Sequence, residues 1–231
     1  VNTDDGYVII GLNTQEVNTQ SGFGIYKLAI ESKGALKIKK SSANTTITNG
    51  NNCYSLKGAE FGVYSDAACT KKVMTLTTKA DGTTDAKEID AGKYYVKETK
   101  APKGYELDEG VKTVTVDTDN DEDNPAVVNV SDVPGTDPVR FEVKKVDKDT
   151  GDADQQGDAD LAGAQFTVNY YNSYYDSIDK LPSKATRTWV LETKVFVQDG
   201  KKVNRVQFAD SYKIAGDDFY KIDGKISIPY G

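Results

Sequence analysis

The sequence predicts an all-β protein made of tandem β-sandwich domains, on three observations. Short β-branched and aromatic runs recur along the whole chain between Gly, Asp, Asn and Lys turns, whereas runs with helical periodicity are scarce. A pattern repeats: Leu36-Lys37-Ile38-Lys39-Lys40 precedes Leu56-Lys57-Gly58-Ala59-Glu60-Phe61, and Phe141-Glu142-Val143-Lys144-Lys145 precedes Leu161-Ala162-Gly163-Ala164-Gln165-Phe166. Lys40 and Leu56 are sixteen positions apart, as are Lys145 and Leu161, which points to two domains of one kind. Finally, 231 residues exceed the roughly 100–150 of a typical single domain.

In chain order, residues 1–32 fit neither repeat. Tyr7-Val8-Ile9-Ile10-Gly11-Leu12 and Phe23-Gly24-Ile25-Tyr26-Lys27-Leu28-Ala29-Ile30 read as strands around an Asn-Thr-Gln-rich loop, the closing strands of a preceding, incomplete β-domain. Residues 33–134 form a complete domain, in which residues 56–64 read as one strand followed by a turn. Pro134-Gly135-Thr136-Asp137-Pro138 reads as a stiff linker, because proline cannot donate to a sheet ladder. Residues 135–231 form the second domain, with strands expected at 164–171, 186–195, 203–208 and 225–228 and an enlarged hairpin around Tyr170-Tyr171-Asn172-Ser173-Tyr174-Tyr175. By the spacing of the first repeat, the second is truncated before its last strands.

Composition narrows the function. The net charge of −7 argues against nucleic acid, whose binding needs clustered Lys and Arg. No run approaches the ~20 apolar residues of a membrane span, and the first residues lack a signal-peptide pattern, as expected of a mature or excised segment. Histidine is absent, which excludes serine-histidine triads, cysteine-histidine pairs and histidine metal sites. No metal and no cofactor are expected. The acidic runs Asp117 to Asn124 and Asp147 to Asp154 lack the spacing of a calcium loop and read as solvated turns. Cys53 and Cys69 flank the strand within residues 56–64, and a disulfide between them is expected in an extracellular setting.

Strand alternation singles out three ionisable residues. It places Leu36, Ile38 and Lys40 on one face, Tyr94, Val96 and Glu98 on another, and Val128, Val130 and Asp132 on a third. Three apolar faces thus end in an amine and two carboxyls. Burial disfavours the charged form of each type. A neutral Lys40 is a nucleophile, Asp132 offers its side-chain carbonyl carbon, and Glu98 can polarise that carbonyl and carry protons. The fold supplies proximity, equivalent to roughly 10⁵–10⁸ M for well-oriented groups, and the product is an amide with loss of water. A buried salt bridge is the alternative reading of the same alternation.

Tyr94-Tyr95-Val96-Lys97-Glu98-Thr99-Lys100-Ala101-Pro102-Lys103-Gly104-Tyr105 resembles the E-box (ETxAPxGY) of B-type Cna-like domains, the SpaA-type repeats of Gram-positive pilins and adhesins. Lys40 and the Leu56 to Phe61 segment resemble the reactive lysine and LxGAxF strand of that family, so the likeness covers about Leu36 to Pro134. It implies an immunoglobulin-like sandwich in which Glu98 catalyses an isopeptide bond from Lys40 to an Asn or Asp of the last strand. Asn129 is the alternative partner. Asp132 is the choice, because it shares the face of Val128 and Val130 and stands two residues before Pro134.

The second repeat shows Lys145, Val146 and Asp147 in the family's K-x-D pattern, with no E-box after it. Lys145 is therefore expected to remain an unpaired reactive lysine. The resemblance implies a structural stalk or shaft segment of a cell-surface adhesin or pilus, extracellular, wall-anchored through a region elsewhere, and with neighbouring domains of the same protein as partners. It implies no enzyme beyond one intramolecular turnover. The alternative function is an adhesin module binding host extracellular matrix or glycan through Tyr174 and Tyr175 of the tyrosine-rich hairpin.

Overall fold

The structure is a computed structural model and describes residues 7–10, 26–29, 32–139, 141–153 and 160–231. It is almost entirely β and divides into two compact units. The first comprises 1–41, 57–101 and 107–130; the second comprises 42–56, 102–106 and 131–231.

In the first unit, β1 (Tyr7–Ile10) and β2 (Tyr26–Ala29) pair antiparallel as a two-stranded sheet. The Asn-Thr-Gln-rich loop expected between them lies outside the described residues. β3 (Lys33–Ser42), β4 (Glu60–Tyr64), β5 (Lys72–Thr77), β6 (Lys87–Asp90), β7 (Gly92–Lys100), β8 (Val111–Val116) and β9 (Ala126–Asp132) follow. They form a four-stranded sheet in the order β5-β4-β7-β8 and a three-stranded sheet in the order β6-β3-β9. The last residue of β3 and the last two of β9 are grouped with the second unit. Alternation builds the core between these sheets. Leu36 and Ile38 from β3, Phe61 and Val63 from β4, Tyr94 and Val96 from β7, and Val128 and Val130 from β9 form one buried cluster.

Residues 56–58, expected to be strand, form a turn instead. Gly58 takes φ +88° there, and its N–H donates to Thr78 O at 3.0 Å.

The second unit contains the short helix α1 (Thr45–Thr48) and the strands β10 (Thr136–Pro138), β11 (Glu142–Lys145), β12 (Gln165–Tyr170), β13 (Arg187–Glu192), β14 (Lys194–Gln198), β15 (Lys201–Gln207), β16 (Lys213–Gly216), β17 (Lys221–Ile222) and β18 (Lys225–Pro229). Three sheets run in the orders β10-β18-β17, β11-β15-β14 and β12-β13-β16. Its core is aromatic. Trp189 is fully buried, stacked on Phe219 at 5.5 Å and met edge-on by Phe208 at 5.0 Å.

Two expectations are corrected here. The Pro134 to Pro138 segment is not merely a linker, since Thr136–Pro138 pairs antiparallel with β18. Its prolines are tolerated because β10 is a sheet edge and Pro138 is its last residue. The single strand expected over 186–195 is two, β13 and β14, interrupted at buried Thr193. There the chain leaves one sheet for another, and the threonine holds the corner. Thr193 N–H donates to Ala164 O at 2.9 Å, Ala164 N–H donates to Thr193 Oγ1 at 2.9 Å, and Gly163 N–H donates to Thr193 O at 3.1 Å.

The first unit contains the same corner. Thr78 N–H donates to Ala59 O at 3.0 Å, Ala59 N–H to Thr78 Oγ1 at 3.0 Å, and Gly58 N–H to Thr78 O. The repeat visible in Lys57-Gly58-Ala59 and Ala162-Gly163-Ala164 is therefore a repeat of three-dimensional structure as well.

Candidate isopeptide site

β3 runs buried on one face through Leu36, Ile38 and Lys40, and Lys40 is only 2% exposed. Its backbone is fixed by Lys40 N–H donating to Gly82 O at 2.8 Å, and by Ile38 N–H donating to Thr84 Oγ1 at 3.0 Å. β7 carries Glu98 inward in line with Tyr94 and Val96. Lys40 Nζ and Glu98 Oε1 meet at 2.5 Å, with both side chains at 1% exposure or less. Glu98 Oε2 accepts the backbone N–H of Asp108 at 2.9 Å. The Phe61 ring centroid lies 5.2 Å from Lys40 Nζ and closes the apolar side.

β9 alternates without a break from buried Ala126 to buried Asp132 and is the sheet neighbour of β3. Asp132 is 1% exposed, and its backbone carbonyl accepts Ala43 N–H at 2.8 Å. Asn129 lies on the opposite, exposed face. The expected burial of Lys40, Glu98 and Asp132 is thus observed, and Lys40 and Glu98 are in direct contact. A lysine and a glutamate held this deep lose most of their hydration, a cost of several kcal/mol per ion that their mutual attraction must offset.

Residues 34–131 match the family model described as the SpaA prealbumin-like fold domain. Residues 34–131 are thus similar to a SpaA-type domain, over less than half of the chain. The match runs through β3 to β9 and includes Lys40 and Glu98, but ends one residue before Asp132. No curated protein matches the chain. Among solved structures, similarity extends to the Bacillus anthracis TIE protein, with 25% identity over 87% of this chain and 33% of that one and a TM-score of 0.43. It extends also to GBS52, the minor pilin of Streptococcus agalactiae, with 20% identity over 50% of each chain and a TM-score of 0.34. BcpA, the major pilin subunit of Bacillus cereus, shows 16% identity over 75% of this chain and 53% of that one, with a TM-score of 0.36. This chain spans about a third of the length of the first and half of the second.

The segment that resembles the E-box is divided between the compact units. Tyr94 to Ala101 belong to the first, and Pro102 to Tyr105 to the second. In the second unit, Gly104 takes φ +84°, and a Cβ there would stand 2.6 Å from Tyr54 Cδ1 and 2.7 Å from Cys53 O. Only glycine fits this approach. Tyr105 meets the Tyr54 ring edge-on at 5.7 Å, and Tyr230 stacks on Tyr54 at 5.6 Å. The Tyr54 hydroxyl donates to Gly135 O at 2.6 Å and accepts Tyr230 N–H at 2.9 Å. Burial pushes the Tyr54 phenol up to about 12, against the opposing effect of the Tyr230 N–H.

The disulfide expectation is corrected: Cys53 and Cys69 are free thiols. Cys69 sits in the β4–β5 turn with φ +53°, while Cys53 lies before β4. Closeness in sequence across β4 does not by itself bring two Cα atoms within the roughly 7 Å that a bridge needs. Lys145 is half-buried on β11 and donates to Val146 O at 3.1 Å. Tyr174 is 66% exposed and Tyr175 is half-buried. The Tyr174 backbone is anchored, with its N–H donating to Asn52 Oδ1 at 2.9 Å. Among the described residues, no group of three or more His, Cys, Asp or Glu could hold a metal, and no helix is long and apolar enough to cross a membrane.

Sequence reasoning missed the Asp108 N–H and the corner threonines. The Asp108 donor is a backbone group and leaves no mark in composition. Thr78 and Thr193 are single polar residues that nothing in strand alternation marks as special.

Proposed function

We propose that this chain is a shaft or stalk segment of a Gram-positive cell-surface adhesin or pilus, closed in its SpaA-type domain by an amide between Lys40 and Asp132 made with Glu98 as catalyst. The observation that carries the reading is the buried Lys40–Glu98 pair, at 2.5 Å between β3 and β7. Burial of Asp132 on the strand beside β3 supports it as the partner, and the exposure of Asn129 speaks against the alternative. Condensation offsets the cost of burying an amine and a carboxyl, because the amide that replaces them is neutral. The bond ties the first strand of the domain to its last, so tension between them is borne by a covalent link. The reaction occurs once within the chain and turns over no external substrate.

The domain layout that goes with this reading is 1–32 for the end of a preceding β-domain, 33–134 for the SpaA-type domain and 135–231 for a second repeat. Its partners are neighbouring domains of the same extracellular protein. Intact-mass measurement tests the bond: the folded chain should weigh about 18 Da less than its sequence, the mass of the water released. Glu98→Ala and Asp132→Ala should restore the full mass, while Asn129→Ala should keep the deficit. A wild-type chain of unshifted mass would overturn the proposal.

The 66% exposure of Tyr174 on an anchored backbone favours a second reading, an adhesin surface for host matrix protein or glycan. Binding to collagen, fibrinogen or a glycan array that is lost on Tyr174→Ala and Tyr175→Ala would establish it. Uniform absence of binding would remove it.

A further inference from the structure

Glu98 is gripped at both oxygens. Oε1 meets Lys40 Nζ at 2.5 Å, and Oε2 accepts the Asp108 N–H at 2.9 Å. That donor comes from the loop between β7 and β8. β8 pairs back along β7 with Val111 opposite Lys97, so residues 107–110 cross the end of β7 beside Glu98. Asp108 also shapes the loop. Its Oδ1 accepts Gly110 N–H at 2.8 Å, and its Oδ2 lies 3.6 Å from Lys112 Nζ. A Cβ on residue 110 would stand 2.8 Å from Asp108 Oδ1, the tip of a side chain that can swing aside.

We propose that Asp108 is a positioning residue for the Lys40–Asp132 condensation, its backbone N–H holding one Glu98 oxygen so that the other serves as the proton carrier at Lys40. The inference rests on the crosslink reading given above. In the step, the neutral form of the Lys40 amine attacks Cγ of the neutral form of the Asp132 carboxyl group, an N–C bond forms and a C–O bond breaks. Glu98 Oε1 takes a proton from the nitrogen and delivers it to the departing hydroxyl, which leaves as water, and nothing is oxidised or reduced. The terminal torsion of a glutamate is broad and roughly two-fold, so an unrestrained carboxylate would sample orientations in which neither oxygen meets the amine. A donor fixed on Oε2 removes that freedom, and a misplacement of about 1 Å is enough to cost about 100-fold in rate.

The test follows intact mass against time after a pulse of expression. Asp108→Pro deletes the N–H and should slow the 18 Da loss by about 100-fold, leaving uncrosslinked chains at harvest. Asp108→Asn keeps both the N–H and an Oδ1 acceptor and should match wild type. Gly110→Ala, which keeps the N–H and meets only the movable Asp108 carboxylate, should also match wild type. Each substitution is repeated in a Glu98→Ala background, where no crosslink forms and thermal melting reads folding alone. The proposal expects the Glu98→Ala melting midpoint to be nearly unchanged by Asp108→Pro or Gly110→Ala. Crosslinking of Asp108→Pro at the wild-type rate would overturn it, as would slowing matched by a general loss of folding in the Glu98→Ala background. Should Asp108→Pro fail to fold, amide exchange decides instead: an Asp108 N–H that exchanges as slowly in Glu98→Ala as in the wild type would overturn it. A wild-type chain with no mass deficit is a distinguishable outcome, which strikes the crosslink itself.

Discussion

Tyr54 shows how much one side chain can organise. It is 8% exposed, its ring is shared by Tyr105 and Tyr230, and its hydroxyl is both donor and acceptor. Tyr54→Phe leaves Gly135 O and Tyr230 N–H without that partner, and we expect a loss of about 1–3 kcal/mol in denaturant melting at neutral pH. Its folded pKa is raised from 10.0 to about 12, so folding favours the neutral phenol. That contribution is complete below pH 10 and is lost as pH rises from 10 to about 12. Burial raises the Tyr170 phenol too, with the same sign. The difference between wild type and Tyr54→Phe across this window therefore isolates Tyr54; an unchanged difference from pH 9 to pH 12 would contradict the assignment.

Among the elements, the threonine corners explain why the repeated Gly-Ala segment matters. Thr78 and Thr193 each return a hydroxyl to the N–H of the alanine and a carbonyl to the N–H of the glycine. Thr78→Val and Thr193→Val keep the shape and delete the acceptor, which should cost about 1–3 kcal/mol each by leaving the N–H of buried Ala59 or half-buried Ala164 unsatisfied. Paired urea titrations of the two variants measure this. The corners also show what the sequence hid. Alternation located the strands bearing Lys40, Glu98 and Asp132, because a half-buried strand must alternate. It did not locate the break at Thr193 or the strand at Thr136–Pro138, since a sheet switch and an edge pairing depend on partners far away in sequence.

For the molecule as a whole, the two separate buried clusters among the described residues imply two thermal transitions. Trp189, the single tryptophan, reports on the second. Phe208→Ala removes its edge-on neighbour and should lower the Trp189-monitored stability by about 3–5 kcal/mol while leaving the first transition in place. The first transition depends on the proposed crosslink. Residues 40 and 132 enclose a loop of about 90 residues, whose closure stabilises by about 4–5 kcal/mol in the chain-entropy treatment of crosslinks. For a domain of this size that is about 20 °C or more, to be seen by calorimetry as the gap between wild type and Glu98→Ala.

The sequence by itself determined the all-β class, the tandem repeat and the inward direction of Lys40, Glu98 and Asp132, because strand periodicity and short motifs are local properties of the chain. It also separated Asp132 from Asn129, since residues three apart on a strand face opposite ways. Tertiary structure alone decided that Cys53 and Cys69 are free thiols, that Gly104 and Tyr105 seat Tyr54, and that an Asp108 N–H holds Glu98. Each of these depends on distances between segments remote in sequence, and those distances are set by strand pairing and core packing together.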